Sequence, residues 1–265
     1  MRTLKRYARI YVLIEAQYIK ARLQYRADFI ISSIGMLVTS ITTIFVFWVL
    51  FASIPDLAGW SFDELLFIYA FYLLAIVPLQ ILFDHIWQLR WHVMDGGFIK
   101  YYFKPLNMMF YYISEMFDVK GLSQLALGIV TLIVASNRLH LVWDGPKLLL
   151  FLAAWLGSAL VVISMLVIAL SLAFWMQNSY PVLSFAFKIR EYGQYPMSIF
   201  DGLFRLIFTY LLPIGFVAFY PSQLFLRPEA VSPLAYASPL VGVAFFALAY
   251  WVWTRGVNRY SGTGS

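Results

Sequence analysis

Four ionisable side chains lie close to the ends of long apolar stretches: Asp84, His85, Glu115 and Asp118. Carboxylates and an imidazole at one depth could act as general acids and bases, or could relay protons across a membrane. Their positions at predicted helix ends favour charge pairing between helices instead. We therefore interpret them as a helix-end charge network, with a lipid-modifying intramembrane enzyme as the alternative.

Other signs of catalysis are missing from the sequence. It contains no GxSxG or HExxH pattern and no cysteine, and its three histidines lack the close spacing of metal ligands. No Gly-Lys dipeptide occurs, which excludes a phosphate-binding loop of the GxxxxGK type. We predict no catalytic residue, no metal and no cofactor in this chain.

A second set of polar side chains falls inside the apolar stretches themselves. Thr39 and Thr43 are one helical turn apart in the first stretch, and Gln80 lies within the second. Such groups could line a pathway for a substrate, or they could simply bond to the carbonyls of their own helix. We take these three residues as candidate pathway residues.

The composition places these side chains in a membrane protein. Hydrophobic residues make up 62% of the 265, charged residues make up 12%, and the mean hydropathy is +0.78. A water-soluble domain of this size could not hide so much apolar surface. The net charge of +6 does not indicate nucleic-acid binding, because the basic residues follow the gaps between apolar stretches instead of forming one stripe.

We predict an all-α integral membrane protein whose single domain covers residues 1–260. Residues 1–28 should form an amphipathic helix at the membrane interface, since tyrosines and basic residues occupy opposite helical faces. Residues 261–265 are expected to be a flexible tail, with an expression vector as one origin. The six predicted spans are 29–54, 63–89, 109–136, 147–175, 206–220 and 239–253.

Basic residues accumulate in alternate gaps between the predicted spans. Of 19 lysines and arginines, 16 lie before the first span, after the last, in the second and fourth gaps, or, for Lys120, near the start of the third span. Because cytoplasmic loops retain excess Lys and Arg, both termini are predicted to be cytoplasmic. In the fourth span, the small residues Ala153, Ala154, Gly157 and Ser158 permit close helix approach, and we favour internal packing over a dimer contact.

The second gap between spans, from Arg90 to Asn107, is basic and is punctuated by glycine and proline. A flexible glycine pair beside charged residues suits a turn that docks a partner protein, with an ordinary solvated loop as the alternative. The candidate contact residues are Asp95, Gly96, Gly97, Lys100 and Lys104.

Two strings in the chain carry a family resemblance: DGGFIKYYFKPLNMMFYYISEMFD from Asp95 to Asp118, and YGQYPMSIFDGLFRLIFTYLLPIGFVAFYP from Tyr192 to Pro221. With the basic leader and six predicted spans, they resemble permease subunits of bacterial ABC-2 type ABC transporters. The similarity extends over essentially the whole chain and points to the small six-span family that includes viologen-exporter-like permeases. It carries no catalytic residue with it.

The resemblance implies an ABC-2 fold of the type V exporter kind in the bacterial inner membrane. A separate ATPase subunit would bind ATP and Mg²⁺, and would contact Arg90 to Asn107. A second permease chain, identical or related, would complete the transporter among the membrane lipids. The expected activity is export of a hydrophobic or cationic amphipathic substrate, whether drug-like as in multidrug efflux, viologen-like or lipid. A channel or scaffold without an ATPase is the remaining alternative.

Overall fold

The computed structural model describes residues 7, 10–14, 26–176 and 178–260, and these residues form helices without β-strands. Short 3₁₀ segments link several of the helices. The α-helices from residue 26 onward are α1 (Arg26–Ser53), α2 (Phe62–Leu82), α3 (Leu89–Met94), α4 (Met108–Ile113), α5 (Gly121–Arg138), α6 (Gly145–Ser171), α7 (Tyr180–Arg190), α8 (Gly202–Leu206), α9 (Phe219–Leu226) and α10 (Pro233–Arg259).

Five helices within the described ranges are long and apolar enough to cross a membrane: α1, α2, α5, α6 and α10. Together with the helical content, they confirm the predicted class of all-α integral membrane protein. A helix needs about 20 residues to span hydrocarbon, and these helices have 18 or more.

Helix α2 is the centre of the bundle. Every residue from Leu65 to Val77 is buried, against α5 and α6 in particular. Its start is fixed by a capping box, in which the Ser61 hydroxyl accepts from the Glu64 amide and the Glu64 carboxylate accepts from the Ser61 amide. A helix that is apolar on all sides is stable only when neighbours or lipid surround it, and here neighbours do.

Helix α6 packs tightly against α10 through small residues. A Cβ atom added to Gly157 would lie 2.6 Å from the carbonyl oxygen of Ser238, and Gly242 approaches the Gly157 backbone equally closely. On the neighbouring face, the Ser158 hydroxyl donates to the Phe216 carbonyl at 2.9 Å. Ala154, Gly157 and Ser158 therefore serve internal helix packing, as the sequence indicated, whereas Ala153 is exposed.

Helix α1 is attached to the bundle along one narrow seam. Its buried side chains are Ser33, Ser40 and Phe47, which follow one another at intervals of seven residues. Only 11% of the most apolar part of this helix is buried, compared with 78% for α2. The outward faces of α1 carry large apolar side chains suited to lipid.

Two predicted spans have different bounds in the structure. Helix α2 ends at Leu82 instead of residue 89, because residues 84–88 continue as a 3₁₀ helix. The predicted third span, 109–136, is two helices: α4 ends at Ile113, and α5 begins at Gly121. Between them the Asp118 amide donates to the Ile81 carbonyl at 2.9 Å, which holds the irregular link against the end of α2.

The predicted fifth span, 206–220, is not a single helix. Helix α8 continues as one π-helical turn from Ile207 to Leu211. The helical conformation is then interrupted at Pro213, and α9 begins only at Phe219. Proline lacks an N–H group and its ring clashes with the preceding turn, which disfavours continuation of the helix at this point.

Residues 202–226 instead form a hairpin. The Thr209 and Tyr220 hydroxyls lie 2.8 Å apart and tie its two limbs together. The returning limb reaches the N-terminal end of α2, where the Phe219 ring lies 5.6 Å from the Trp60 ring. Beyond the hairpin, the Arg227 guanidinium pairs with Glu64 at 3.1 Å.

The segment 180–199, which precedes the hairpin, runs beside α2 from one end to the other. Near its start, the Phe187 ring stacks on Trp87, just beyond the C-terminal end of α2. Near its finish, the Ser198 hydroxyl accepts from the Trp60 indole at 2.9 Å, just before α2 begins. Helix α7 and the 3₁₀ turns after it give this segment a length of roughly 34 Å, enough to cross hydrocarbon.

Candidate functional site

A polar cavity of about 400 Å³ lies among α1, α2, α5 and the 180–199 segment. Its walls carry hydroxyls, amides, one guanidinium and one carboxylate, which is unusual so far inside an apolar bundle. The lining residues are Gly35, Met36, Thr39, Ser40, Thr43, Tyr69, Tyr72, Leu73, Ile76, Gln80, Gln124, Arg190, Glu191 and Gln194.

The three candidate pathway residues all line this polar cavity. The hydroxyls of Thr39 and Thr43 also bond within α1, to the carbonyls of Gly35 at 2.9 Å and of Thr39 at 3.2 Å. The Oε1 atom of Gln80 is buried without a protein partner. The structure thus brings these residues together, with the Gln80 amide oxygen available to a ligand.

A fixed polar contact joins the α1 and α5 walls of the cavity. The Ser40 hydroxyl bonds the Gln124 side chain, with separations of 3.3 Å to Oε1 and 3.2 Å to Nε2. The Tyr69 hydroxyl donates to the Ser40 carbonyl at 3.2 Å. These groups hold α1 against α2 and α5 at the depth of the cavity.

Arg190 and Glu191 bring the only charges among the lining residues. The Arg190 guanidinium lies beside Tyr72, in the middle of α2, and its Nε atom is buried without a hydrogen-bond partner. Glu191 is exposed at the cavity wall. Within the described part of the chain, neither residue forms an ion pair.

Sequence reasoning missed this charged pair, because it assigned residues 177–205 to a polar gap between spans. A usable signal was present: Val182, Leu183, Ala186 and Ile189 recur at helical spacing, and this face of α7 packs in the bundle. The charges of Arg190 and Glu191 at the end of this amphipathic helix made the segment look like a polar gap between spans.

The 95–104 turn is ordered by local contacts. The Asp95 carboxylate accepts from the Gly97 amide at 2.8 Å, and Gly96 adopts a left-handed conformation with φ of 79°. A 3₁₀ helix follows, from Gly97 to Tyr101, and it buries the rings of Phe98 and Tyr101. The structure therefore shows an anchored turn in place of a loose loop, with its charged side chains exposed.

Glu115 anchors this turn to the end of α4. The Lys100 ammonium lies 3.1 Å from one Glu115 oxygen, and the Tyr101 hydroxyl donates to the other. Burial, followed by the Glu115 contact, raises the pKa of Tyr101 far above its usual range. The Lys104 ammonium is exposed and lies 5.4 Å from the centre of the Tyr111 ring.

The other members of the predicted charge network are spread over the same end of the bundle. Asp118 pairs with Lys120 at 2.9 Å, and the His85 Nε2–H donates to the Tyr112 carbonyl at 2.7 Å. The Asp84 side chain lies outside the described part of the structure. Over the described residues, no group of three potential ligands is arranged to hold a metal ion.

Both histidines near this network are disfavoured as cations. Burial lowers the pKa of His85, more than the Tyr112 carbonyl and Glu115 raise it, and His92 and Lys100 lower it further. The Nδ1 atom of His85 is buried with no acceptor nearby, so a second proton would find no partner there. Burial and the Lys100 charge likewise lower the pKa of His92.

Most of the predicted interfacial helix, 1–28, lies outside the described residues. The part that is described packs against the start of α4. The Tyr7 ring lies 4.7 Å from the Phe110 ring, and the Tyr7 hydroxyl accepts from the Asn107 amide at 3.2 Å. The leader thus reaches the element that follows the 95–104 turn.

A second cavity, of about 340 Å³, is almost wholly apolar. It lies on the opposite side of α7, where the tip of the 202–226 hairpin meets α6 and α10. Its walls have the character of a site for hydrocarbon. The lining residues are Met165, Ile168, Ala169, Leu172, Val182, Phe185, Ala186, Ile189, Leu211, Leu212, Phe245 and Leu248.

One comparison with known proteins identifies the chain. The model of a family described as ABC-2 family transporter protein matches residues 37–264, from the middle of α1 to the end of the sequence. Among curated proteins and among solved structures, none matches. The matched region includes the polar cavity, the 95–104 turn and the 202–226 hairpin. This chain therefore belongs to the ABC-2 family of transporter proteins, as a multi-pass membrane permease subunit.

Proposed function

We propose that this permease exports an amphipathic substrate from the bacterial cytoplasm, driven by ATP hydrolysis in a separate subunit. The polar cavity is the observation that carries the proposal. It places an arginine that has no ion-pair partner within the described residues, a carboxylate and several amides and hydroxyls among helices that otherwise bury apolar residues. Such groups are costly inside a bilayer and are retained where a substrate passes.

The 95–104 turn is the surface we propose for the ATPase subunit. The exposed side chains of Asp95, Lys100 and Lys104 project from a backbone held rigid by Glu115 and by buried aromatic rings. A rigid element can transmit a movement of its partner to α2 and α4, whereas a flexible loop would absorb it. Two permease chains and two ATPase chains would form the complete transporter, with ATP and Mg²⁺ bound in the ATPases.

The orientation follows from charge and from the path of the chain. We propose that both termini and the 95–104 turn are cytoplasmic in the inner membrane, that the 180–199 segment makes the fifth crossing, and that the 202–226 hairpin enters from the outer side and returns to it. Ser198, just before the hairpin, and Phe219, on its returning limb, both contact Trp60 at the start of α2, which supports this path.

Of the predicted substrate classes, lipid-like and drug-like amphiphiles agree best with the walls of the two cavities. One cavity offers polar and charged groups, and the other offers hydrocarbon. A viologen-like dication is the less favoured class, because a guanidinium faces the polar cavity. An intramembrane enzyme is also less favoured, because His85, Glu115 and Asp118 are held by Tyr112, Lys100, Tyr101 and Lys120.

Reconstitution with its ATPase tests this function. The permease would be purified together with a nucleotide-binding subunit from the same organism, placed in lipid vesicles, and assayed for ATP hydrolysis while a panel of amphiphiles is varied. We expect stimulation by at least one amphiphile. The variant Lys104→Glu reverses a charge on the proposed docking surface, and should weaken the stimulated rate by about tenfold.

The matched control is Lys147→Glu, which makes the same charge reversal at the start of α6, at the opposite end of the bundle. It should retain the stimulated rate. Failure of the permease to co-purify with any nucleotide-binding subunit would contradict the proposed function, and so would equal loss of activity in the two variants.

A further inference from the structure

We propose that Arg190 and Glu191 together form a binding site for a zwitterionic headgroup, with the acidic group of the ligand on Arg190 and its ammonium on Glu191. The inference rests on the proposed function and names the class of amphiphile transported. It follows from the charges that face the polar cavity, from the groups that surround them, and from the volume between them.

Arg190 presents a positive charge that forms no ion pair within the described residues and that is only partly hydrogen-bonded. Its guanidinium lies beside the Tyr72 hydroxyl and the Phe187 ring, and its Nε atom is buried without an acceptor. A buried N–H group of a charged side chain is strongly disfavoured without a partner. A phosphate or carboxylate oxygen in the cavity would supply that acceptor, and arginine binds both groups well.

Glu191 presents the opposite charge to the same cavity. It is the next residue in the chain, and over the described residues it pairs with no cation, Arg190 included. Helix α7 ends between these two side chains, since Arg190 is its last residue and Glu191 opens a 3₁₀ turn. Both side chains line the same cavity, so a ligand with two charges could contact both.

The remaining walls suit the neutral parts of such a headgroup. The Gln80 Oε1 atom is an unpaired acceptor, available to an ammonium or hydroxyl donor. The Thr39 and Thr43 hydroxyls line the α1 side. A volume of about 400 Å³ lies within the usual range for small-molecule sites.

A ligand whose charges are all positive or all negative should bind in this cavity less tightly. A dication would face the Arg190 guanidinium, and a dianion would face the Glu191 carboxylate, with little water between them to screen the repulsion. A zwitterion meets both residues with opposite charges and adds no net charge to the bundle. The geometry therefore favours a zwitterionic amphiphile over a cationic one.

Direct binding to the purified permease tests this assignment. Three fluorescent single-chain amphiphiles with the same acyl chain would be compared: one with a phosphoethanolamine headgroup, one with a phosphate monoester and one with a trimethylammonium group. Binding would be measured by anisotropy in micelles of a non-ionic maltoside detergent, which carries no charged headgroup. A fourth arm uses soluble glycerophosphoethanolamine as a competitor, which separates recognition of a lipid headgroup from recognition of a free small molecule.

We expect the phosphoethanolamine amphiphile to bind most tightly, by about tenfold over each of the others. The variant Arg190→Gln should weaken its binding by about tenfold or more and shift the preference towards trimethylammonium. Glu191→Gln should weaken it similarly and shift the preference towards phosphate. Lys188→Gln removes a positive charge from an exposed position of the same helix, and should change none of the three affinities.

Equal affinities for the three headgroups in the unmodified protein would overturn the proposal. The proposal would also be overturned if Arg190→Gln and Glu191→Gln lowered the affinity for all three headgroups equally, or if Lys188→Gln lowered it as much. Competition by glycerophosphoethanolamine at concentrations as low as that of the amphiphile would overturn it too. If Arg190→Gln does not fold, Arg190→Lys keeps the charge and should keep the order of preference. The binding assay contains no ATPase subunit. Its result would therefore be the same even if the permease proved unable to couple transport to ATP hydrolysis.

Discussion

The imidazole of His85 shows how a single buried residue ties pH to stability. Its Nε2–H bonds the Tyr112 carbonyl, whereas its Nδ1 atom has no partner among the described residues. Burial lowers the pKa of His85 below its unfolded value of about 6.5, so the unfolded chain binds a proton more readily than the folded one. The contribution of His85 to stability is therefore present above the unfolded pKa and is lost as the pH falls below it.

We expect the thermal stability of the permease in detergent to fall as the pH is lowered from about 7.5 to about 5.5, because His85 binds a proton less readily in the folded protein than in the unfolded chain. His92, whose pKa is also lowered, should contribute in the same direction. His85→Asn should make the melting temperature less dependent on pH. His140→Asn, at an exposed position, should leave that dependence unchanged; a larger effect of His140→Asn would contradict the assignment.

Gly96 is the residue on which the shape of the 95–104 turn depends most. Its φ of 79° lies in the left-handed region, where a side chain costs about 1–2 kcal/mol. Gly96→Ala should displace Lys100 and Lys104, and should lower ATPase stimulation more than it lowers the melting temperature. Gly145→Ala, where an added Cβ meets nothing, is the control and should preserve both quantities.

At the scale of helices, the contact between α6 and α10 makes a sharp prediction. Gly157→Leu would place a large side chain against the backbone of Ser238 and Pro239, and should destabilise the fold by about 1–3 kcal/mol. Ala153→Leu lies one turn away on an exposed face and should be tolerated. Thermal unfolding followed by circular dichroism compares them. Similar melting temperatures for the two variants would show that α6 and α10 do not pack as described.

The helices that the sequence predicted well are those with uniform apolar composition. Helices α1, α2, α6 and α10 each overlap a predicted span. A long apolar segment in a bilayer must satisfy its backbone hydrogen bonds within itself, and the α-helix does so. A helix near residues 182–192 was predictable, but the packing of the 180–199 segment beside α2 was not, because Arg190 and Glu191 make its composition polar. The cavity that these charges face forms between helices, and composition does not reveal it.

The candidate site shows the same division. Thr39, Thr43 and Gln80 were predictable, because polar residues stand out in an apolar run. Ser40, Gln124 and Tyr69 join them only through pairings between helices that are far apart in sequence. The break at Pro213 was visible as a proline, but whether the chain would kink or turn back depended on the contact between Thr209 and Tyr220.

On the scale of the whole molecule, the path of residues 178–202 is the most direct test of the architecture. The protein has no cysteine, so single cysteines can be labelled without removing others. Sequence reasoning placed Asn178 and Gly202 on the same side. The structure places them at opposite ends of α2, and both are exposed.

We expect a membrane-impermeant maleimide to label Gly202→Cys and Glu229→Cys in intact cells. Asn178→Cys and Lys104→Cys should react only after the membrane is opened. Each variant would first be checked for transport, so that its label reports the native path. Labelling of Gly202→Cys only in opened cells would restore the sequence-based topology and exclude the hairpin.

The revised path also redistributes the charges from which orientation was predicted. On the proposed path, Lys188 and Arg190 lie inside the bundle and Arg205 lies on the outer side. This leaves 13 lysines and arginines in the leader, the gaps and the C-terminal end that we propose to be cytoplasmic, and four on the outer side. The bias remains strong enough to orient the chain. A hairpin that enters and leaves by the same face does not alter the number of crossings, so the side of each terminus is unchanged.

Because α1 is attached along a narrow seam, the polar cavity could open laterally towards the bilayer. Ser33, Ser40 and Phe47 are its buried side chains, and two of these three have little apolar surface to lose on separation. Of the four walls, α1 is therefore the one that opens at least cost, and it opens towards lipid. A two-tailed molecule could leave the inner leaflet headgroup first, slide past α1 and keep its tails in the bilayer throughout. The protein would then have to shelter only the polar headgroup of the substrate, which cannot cross the hydrocarbon unaided.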